Sequence, residues 1–459
     1  MKRLWILLAV VFVIGSVALA ACTSPAPAPT QPPAPSQPTA GAQTNPTAAP
    51  ASQHAPVTLV FIKIADELEA KSFNEMLDAF HKIDGGKWAY VNIQYNAKPF
   101  AELFPSIEKS IATGTDVDLI QADGPDVKHF AYNNVLKDLT PYFTKDELAT
   151  WDAASNAEGT YKGKFYGPAE VQSCQLLWYN QTMVDSAGIK LNPTDSLTYG
   201  PNGTGLPIWQ KLTQTKAGAS SPSVYGFQNN GPSWYDYLNR IEARSNGKPG
   251  SPTFQGVSAD GLKFVGYFDT PESIAAYQFD QDLINKYKVE SLQPPTNSLL
   301  TGFNAMAIYQ DLILGTLKDQ FPDFKIGAMY PPSWQTPLCQ TGSWHYGISA
   351  KTQHFDEALA FVKFAASDAG AQFIWKYKNQ MPSNVKLLDS LPEYKQAPRS
   401  LMADFFKKYG VPRIESPAYT EYNALFGQFY QSVVSGGNVD QLTKDYAKQM
   451  EAAAAKYNP

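Results

Sequence analysis

From residue 57 onward, short β-branched runs alternate with helical stripes, and few architectures accommodate that order. Val57 to Ile64 reads VTLVFIKI, which by composition is a buried strand. Leu68, Phe73, Met76, Leu77 and Phe80 then recur at helical spacing. Tyr90 to Tyr95 alternates like a strand, and Phe100, Leu103, Phe104, Ile107 and Ile111 form another helical face, with a boundary or kink expected at Pro105. Val117 to Ile120 is a short strand that Asp123-Gly124 breaks. Strands separated by helices imply right-handed βαβ units and an α/β class with mainly parallel sheets. The C-terminal third reads as helical: one long stretch over 356–378, then helices near 401–406, 419–434 and 439–457.

The segment before residue 57 belongs to another regime. Lys2 and Arg3 precede 18 uncharged residues, Leu4 to Ala21, long enough to suggest a membrane helix. The run ends in Leu19-Ala20-Ala21-Cys22, small residues before a cysteine, which is similar to a bacterial lipobox. That likeness implies a signal peptide over 1–21 and a Cys22 carrying lipid as the first mature residue. Residues 23–56 hold ten of the 35 prolines and no aromatic, Asp, Glu, Lys or Arg. Such a chain cannot bury apolar surface and favours extended polyproline II, so 22–56 is read as a lipid-anchored tether. A net charge of −5 disfavours nucleic acid as a partner.

The motifs of common chemistries are missing. The sequence has no HExxH, and its five histidines never fall at metal-ligand spacing. GxSxG and GxGxxG are also missing, and the run Gly159 to Lys164 is one residue short of a phosphate loop. No cofactor and no metal are therefore expected.

Four segments carry a family likeness. These are Gly114-Thr115-Asp116-Val117-Asp118 with Asn134 to Tyr142 (NVLKDLTPY); Tyr166-Gly167-Pro168 with Leu177-Trp178-Tyr179-Asn180 and Ala187-Gly188-Ile189; Phe303 to Ile308 (FNAMAI); and Ile348-Ser349 with Glu357-Ala358, Gln372 and Met381-Pro382-Ser383. In this order they resemble the extracellular solute-binding proteins of ABC importers, sugar-binding branch, similar in layout to maltose-binding protein. The resemblance implies a bilobed body over 57–459. Lobe 1 would comprise about 57–168 plus 331–383, and lobe 2 about 169–330 plus 384–459. Crossings are expected near 167–174, 325–331 and 381–385.

It further implies a monomeric, non-enzymatic receptor. A carbohydrate would be captured between the lobes by hinge closure and passed to membrane permease subunits, at the outer face of the cytoplasmic membrane. A secreted carbohydrate-active enzyme, or the same fold taking a polyamine, metal chelate or peptide, are the alternatives. Sugars present hydroxyls and apolar faces, so carboxylates, amides and flat aromatics are the candidate ligand-binding residues. Asp66 and Gln121 with Asp123 follow strands, where helix capping or a turn is the competing role. Glu170 lies beside the first crossing, where a hinge ion pair would also use it. Trp234 and Tyr235 close a polar loop and could equally be core. Tyr309 and Asp311 follow the Ala-Met segment, and Trp344 follows Gly342; His345 is expected at the surface. With Cys22 lipidated, Cys174 and Cys339 remain as a possible disulfide near the hinge in an oxidising compartment.

Overall fold

The structure, a computed structural model, describes residues 54–229, 248 and 250–458. The proposed signal peptide, Cys22, most of the tether and the pair Trp234 and Tyr235 lie outside the described residues.

Two sheets organise the body. The first has five strands, spatially ordered Val91–Lys98, Val57–Ile64, Leu119–Asp123, Trp344–Ile348 and Ala169–Val171. Its first three strands are parallel, as expected from the intervening helices Glu67–Phe80 and Phe100–Thr113. The last two run antiparallel to their neighbours. The second sheet has four strands, ordered Ser196–Thr198, Ile326–Ser333, Leu176–Asn180 and Met306–Tyr309. Leu176–Asn180 runs antiparallel to both its neighbours while the other three strands share one direction, so this sheet is mainly parallel with one reversed strand, as is the first. In each sheet the reversed strand is the one that directly follows a crossing, and short apolar runs do not encode that direction.

Each sheet is buried beneath helices. Leu59, Phe61, Phe73, Met76 and Phe80 pack with Phe361 and Val362 around the first sheet. Leu176 and Trp178 of the second sheet pack with Met402, Phe405 and Phe406. Helices Tyr419–Val434 and Val439–Ala454 close a separate cluster with Phe264, Phe268 and Tyr277. The helix Phe100–Thr113 runs through Pro105 without ending, because Leu103 and Ile107 on its inner face are fully buried. The expected long helix over 356–378 is two, Phe355–Ala365 and Asp368–Lys378, and Ser367 caps the second through the Gly370 N–H.

The chain passes between the sheets at residues 172–175, after Ala169–Val171 and before Leu176–Asn180. It returns over residues 334–343, after Ile326–Ser333 and before Trp344–Ile348, which is later than the expected 325–331. Cys174 and Cys339 stand one in each of these crossings and are disulfide-bonded, with their Cα atoms 5.5 Å apart.

Candidate functional site

A cavity of about 400 Å³ opens beside the two crossings, and its walls come from both sheets. Ile64 and Asp66 sit at the C-terminal end of the first strand, Phe100 at the start of its helix, and Asp123 at the end of Leu119–Asp123. Gln310 and Leu312 follow the strand Met306–Tyr309 of the other sheet. Ser173, Gln175, Gln340 and Gly342 come from the crossings, and Trp344, Lys378, Gln380 and Arg413 complete the lining. Strand ends are where open α/β sheets leave a crevice, because the loops there diverge. Gly342 keeps the crossings in contact, since a Cβ there would lie 2.8 Å from Ser173 Oγ.

Of the expected site residues, Asp66, Asp123 and Trp344 line this cavity. Asp66 does both jobs weighed for it: its Oδ1 accepts the Leu68 and Glu69 N–H groups at 2.8 and 3.2 Å as helix cap, while its side chain borders the cavity. Trp344 stands edge-on to Phe100, with ring centroids 6.1 Å apart, giving the cavity an aromatic corner.

Asp123 is neither a turn residue nor a cap; it is ion-paired with Arg413, whose side chain is 1% exposed. Burial raises the Asp123 carboxyl above its ordinary range, and the Arg413 guanidinium pulls against it. Behind the pair lies Glu158, which accepts hydrogen bonds from Thr341 Oγ1 at 2.7 Å and from Ser343. Burial acts to raise Glu158, but His345, Arg413 and Ser343 together outweigh it and hold it below the usual carboxylate value. His345, expected at the surface, is buried: its Nδ1 lies 2.9 Å from the Gly167 carbonyl and its Nε2 2.6 Å from Ser343 Oγ. It belongs to the strand that the first sheet shares between Leu119–Asp123 and Ala169–Val171, a central position that no local sequence signal announces.

Gln121 and Glu170 do not reach the cavity. Gln121 is fully buried; its Oε1 accepts the Ile64 N–H at 3.0 Å, and its Nε2 donates to Glu69 at 3.2 Å and to Glu170 at 3.0 Å. Glu69 also accepts from Lys63 and, at 2.8 Å, from Lys378. Lys378 is thus held from behind by an acidic group while its side chain borders the cavity. This network stands behind the wall, and Gln121 and Glu170 belong to it rather than to the cavity's lining.

Burial, reinforced by Glu69, pushes Glu170 up to about 7 from 4.5. A carboxyl raised in the folded chain keeps a proton that the unfolded chain has released, so its stabilisation is present below about pH 4.5 and is lost as pH rises through about 7. The variant Glu170→Gln should therefore gain about 1–3 kcal/mol on the parent between pH 5 and pH 8. Urea unfolding at the two pH values reads this, and a difference that stays constant contradicts it.

Tyr309 and Asp311 also lie elsewhere. The Tyr309 carbonyl accepts from Trp178 Nε1 at 2.8 Å, and its side chain borders an adjacent apolar pocket. Asp311 is 1% exposed, accepts from Tyr394 Oη at 3.2 Å and faces Arg399 at 4.0 Å. Burial raises its carboxyl to about 6 against the pull of Arg399.

Arg413, Lys378, Gln175, Gln310, Gln340 and Gln380 are cavity residues that the sequence reading passed over. Arg413 follows the short strand Gly410–Val411, and its local sequence carries no signal for a cavity role. Gln175 carries a distinct feature: it is 3% exposed, and its Oε1 has no hydrogen-bond partner among the described residues. A buried acceptor left unpaired is costly, which marks the place where a ligand donor would be gained.

Two sheets joined by crossings thus enclose a cavity lined from both. A family model described as bacterial extracellular solute-binding protein matches residues 65–372, and the chain belongs to that family. Its two-lobed fold is shared with solved structures of low identity. An ABC substrate-binding protein from Listeria monocytogenes in complex with cycloalternan is 17% identical, with 87% of this chain and 98% of that chain covered and a TM-score of 0.68. A solute-binding protein from Thermotoga lettingae bound with α-D-tagatose is 19% identical, covering 88% and 100% with a TM-score of 0.69. The cyclic α-maltosyl-1,6-maltose binding protein from Arthrobacter globiformis is 19% identical over 88% and 100%, with a TM-score of 0.68.

Proposed function

We propose that this chain captures a neutral sugar or oligosaccharide in the cavity between its lobes and delivers it to the permease of an ABC importer. The observation that carries the reading is the chemistry of the cavity wall. Ser173, Gln175, Gln310, Gln340 and Gln380 offer hydroxyl and amide partners suited to sugar hydroxyls, and Trp344 with Phe100 offers apolar ring faces. The charged side chains balance, Asp66 and Asp123 against Lys378 and Arg413, which favours a neutral polyol over a polyamine or a metal chelate. The ligands named for the solved relatives, cycloalternan and tagatose among them, agree with that class.

A ligand that touches both lobes prefers the closed arrangement and shifts the hinge equilibrium toward it, and the membrane partner reads that state. No step in this cycle makes or breaks a covalent bond, so the chain acts as a receptor and not as a carbohydrate-active enzyme. Each lobe is built on one of the two sheets, so the lobe boundaries fall in the crossings 172–175 and 334–343, a few residues later than 168/169 and 330/331. Lipid on Cys22 holds the body outside the cytoplasmic membrane on a tether over 22–56, as a monomer.

A thermal-shift screen against mono- and oligosaccharides, polyamines, dipeptides and metal chelates tests the reading. A ligand at a hundredfold excess over its Kd stabilises the folded chain by ~2.7 kcal/mol. A shift with a sugar is the expected result, and a shift only with an amine, peptide or chelate would contradict it.

A further inference from the structure

A second pocket, of about 260 Å³, adjoins the main cavity, and the two share Gln310 and Leu312 as common walls. Its chemistry is different. Leu299, Leu300 and Ile313, all members of the core cluster around the second sheet, form its lining with Tyr309. Asn297, Thr316 and the shared Gln310 supply hydrogen-bonding groups, but no charged side chain lines it, whereas Asp66, Asp123, Lys378 and Arg413 line the main cavity. Gln310 is held at the junction, where its Nε2 donates to Ser173 Oγ at 3.3 Å. Leu312 forms the ridge between the cavities and is 49% exposed, unlike most large apolar side chains of the body.

We infer that the solute is amphiphilic: its sugar occupies the polar cavity, and an apolar aglycone, alkyl or aryl, crosses Leu312 into the side pocket. This rests on the sugar reading of the main cavity. The continuity of the two cavities sets the occupant, since a group entering the side pocket without the sugar would leave the polar cavity unfilled. A further sugar residue would turn part of its surface onto Leu299, Leu300, Leu312 and Ile313, where its hydroxyls gain no partner. An alkyl group, by contrast, tightens binding about fourfold for each methylene it buries, and it covers Leu312 at the same time.

The test compares binding of methyl and hexyl glucosides, galactosides and mannosides to the mature chain by calorimetry. For the sugar that binds, the hexyl form is expected to bind at least tenfold more tightly than the methyl form. Thr316 borders only the side pocket and is half-buried, so Thr316→Trp fills that space. This variant should bring the hexyl-to-methyl ratio close to one and keep the methyl affinity within twofold. Leu312→Ser, which removes the ridge, should lower the same ratio by several-fold and serves if Thr316→Trp does not fold. Equal affinities in the parent overturn the inference, as does a hexyl advantage that both variants leave intact. A longer unsubstituted oligosaccharide whose binding Thr316→Trp abolishes would make the pocket a sugar subsite, which also overturns it. If no methyl or hexyl glycoside binds while the thermal-shift screen finds a sugar, the inference is overturned and the sugar reading stands; if neither experiment finds a sugar, the sugar reading itself fails.

Discussion

Replacing Arg413 with alanine is expected to destabilise the folded chain by about 3–5 kcal/mol, the cost of leaving a buried carboxylate without its partner. Arg413 is 1% exposed, pairs with Asp123 in the cavity wall, and lies close enough to Glu158 to lower it. Its removal strands Asp123 and weakens the support of Glu158, both of which are almost wholly buried. The double variant Asp123→Leu with Arg413→Met should recover much of the loss, because an ion pair removed whole leaves no uncompensated charge. Urea midpoints at an unchanged denaturant slope measure both effects. A loss below about 1 kcal/mol for Arg413→Ala would show that the pair is solvated and not part of the cavity wall.

Opening the disulfide should be almost as costly. Cys174 and Cys339 are 165 residues apart in sequence, so the bond closes a long loop and removes much freedom from the unfolded chain. The expected loss for the variant Cys174→Ala with Cys339→Ala is about 2–5 kcal/mol, on a model in which the effect acts through the unfolded state. Because the bond joins the two crossings next to Ser173, Gln175, Gln340 and Gly342, the variant should also release the solute faster. Thiol titration of the denatured mature chain without reductant should find neither cysteine free. Two free thiols would contradict the bond, and unchanged stability in the variant would contradict its role.

Much of the first lobe is legible from residue order alone. VTLVFIKI, the stripe from Leu68 to Phe80 and the face from Leu103 to Ile111 each carry one period, and each forms the element that the period dictates. Asp66 is legible too, because an aspartate between a strand end and an amphipathic run is a strong cap, and caps at strand ends face the crevice. Gln121 and Asp123 show where such reasoning stops. They are two residues apart on one strand and share a face, yet the strand is buried along its whole length. The first therefore meets Glu69 and Glu170, and only the second reaches the cavity. Arg413 and Lys378 meet Asp123, Asp66 and Glu69 only after the chain has crossed between the sheets, a long-range pairing that spacing cannot encode. His345 was misplaced for the same reason, since a central strand added late in the chain looks locally like any polar-flanked run.

The central claim is that a sugar binds in the cavity bordered by Trp344, against the crossings. Trp344 is half-buried, stands edge-on to Phe100 and also packs against two apolar clusters of the first sheet, so Trp344→Ala should cost some stability, fold, and lose the ring face offered to the ligand. Titration calorimetry of the sugar giving the largest thermal shift, with parent and Trp344→Ala side by side, is the most direct measurement. The variant, measured at a temperature where both chains are folded, is expected to bind at least tenfold more weakly, a loss of about 1.4 kcal/mol. An affinity within twofold of the parent would place the sugar outside this cavity and contradict the account.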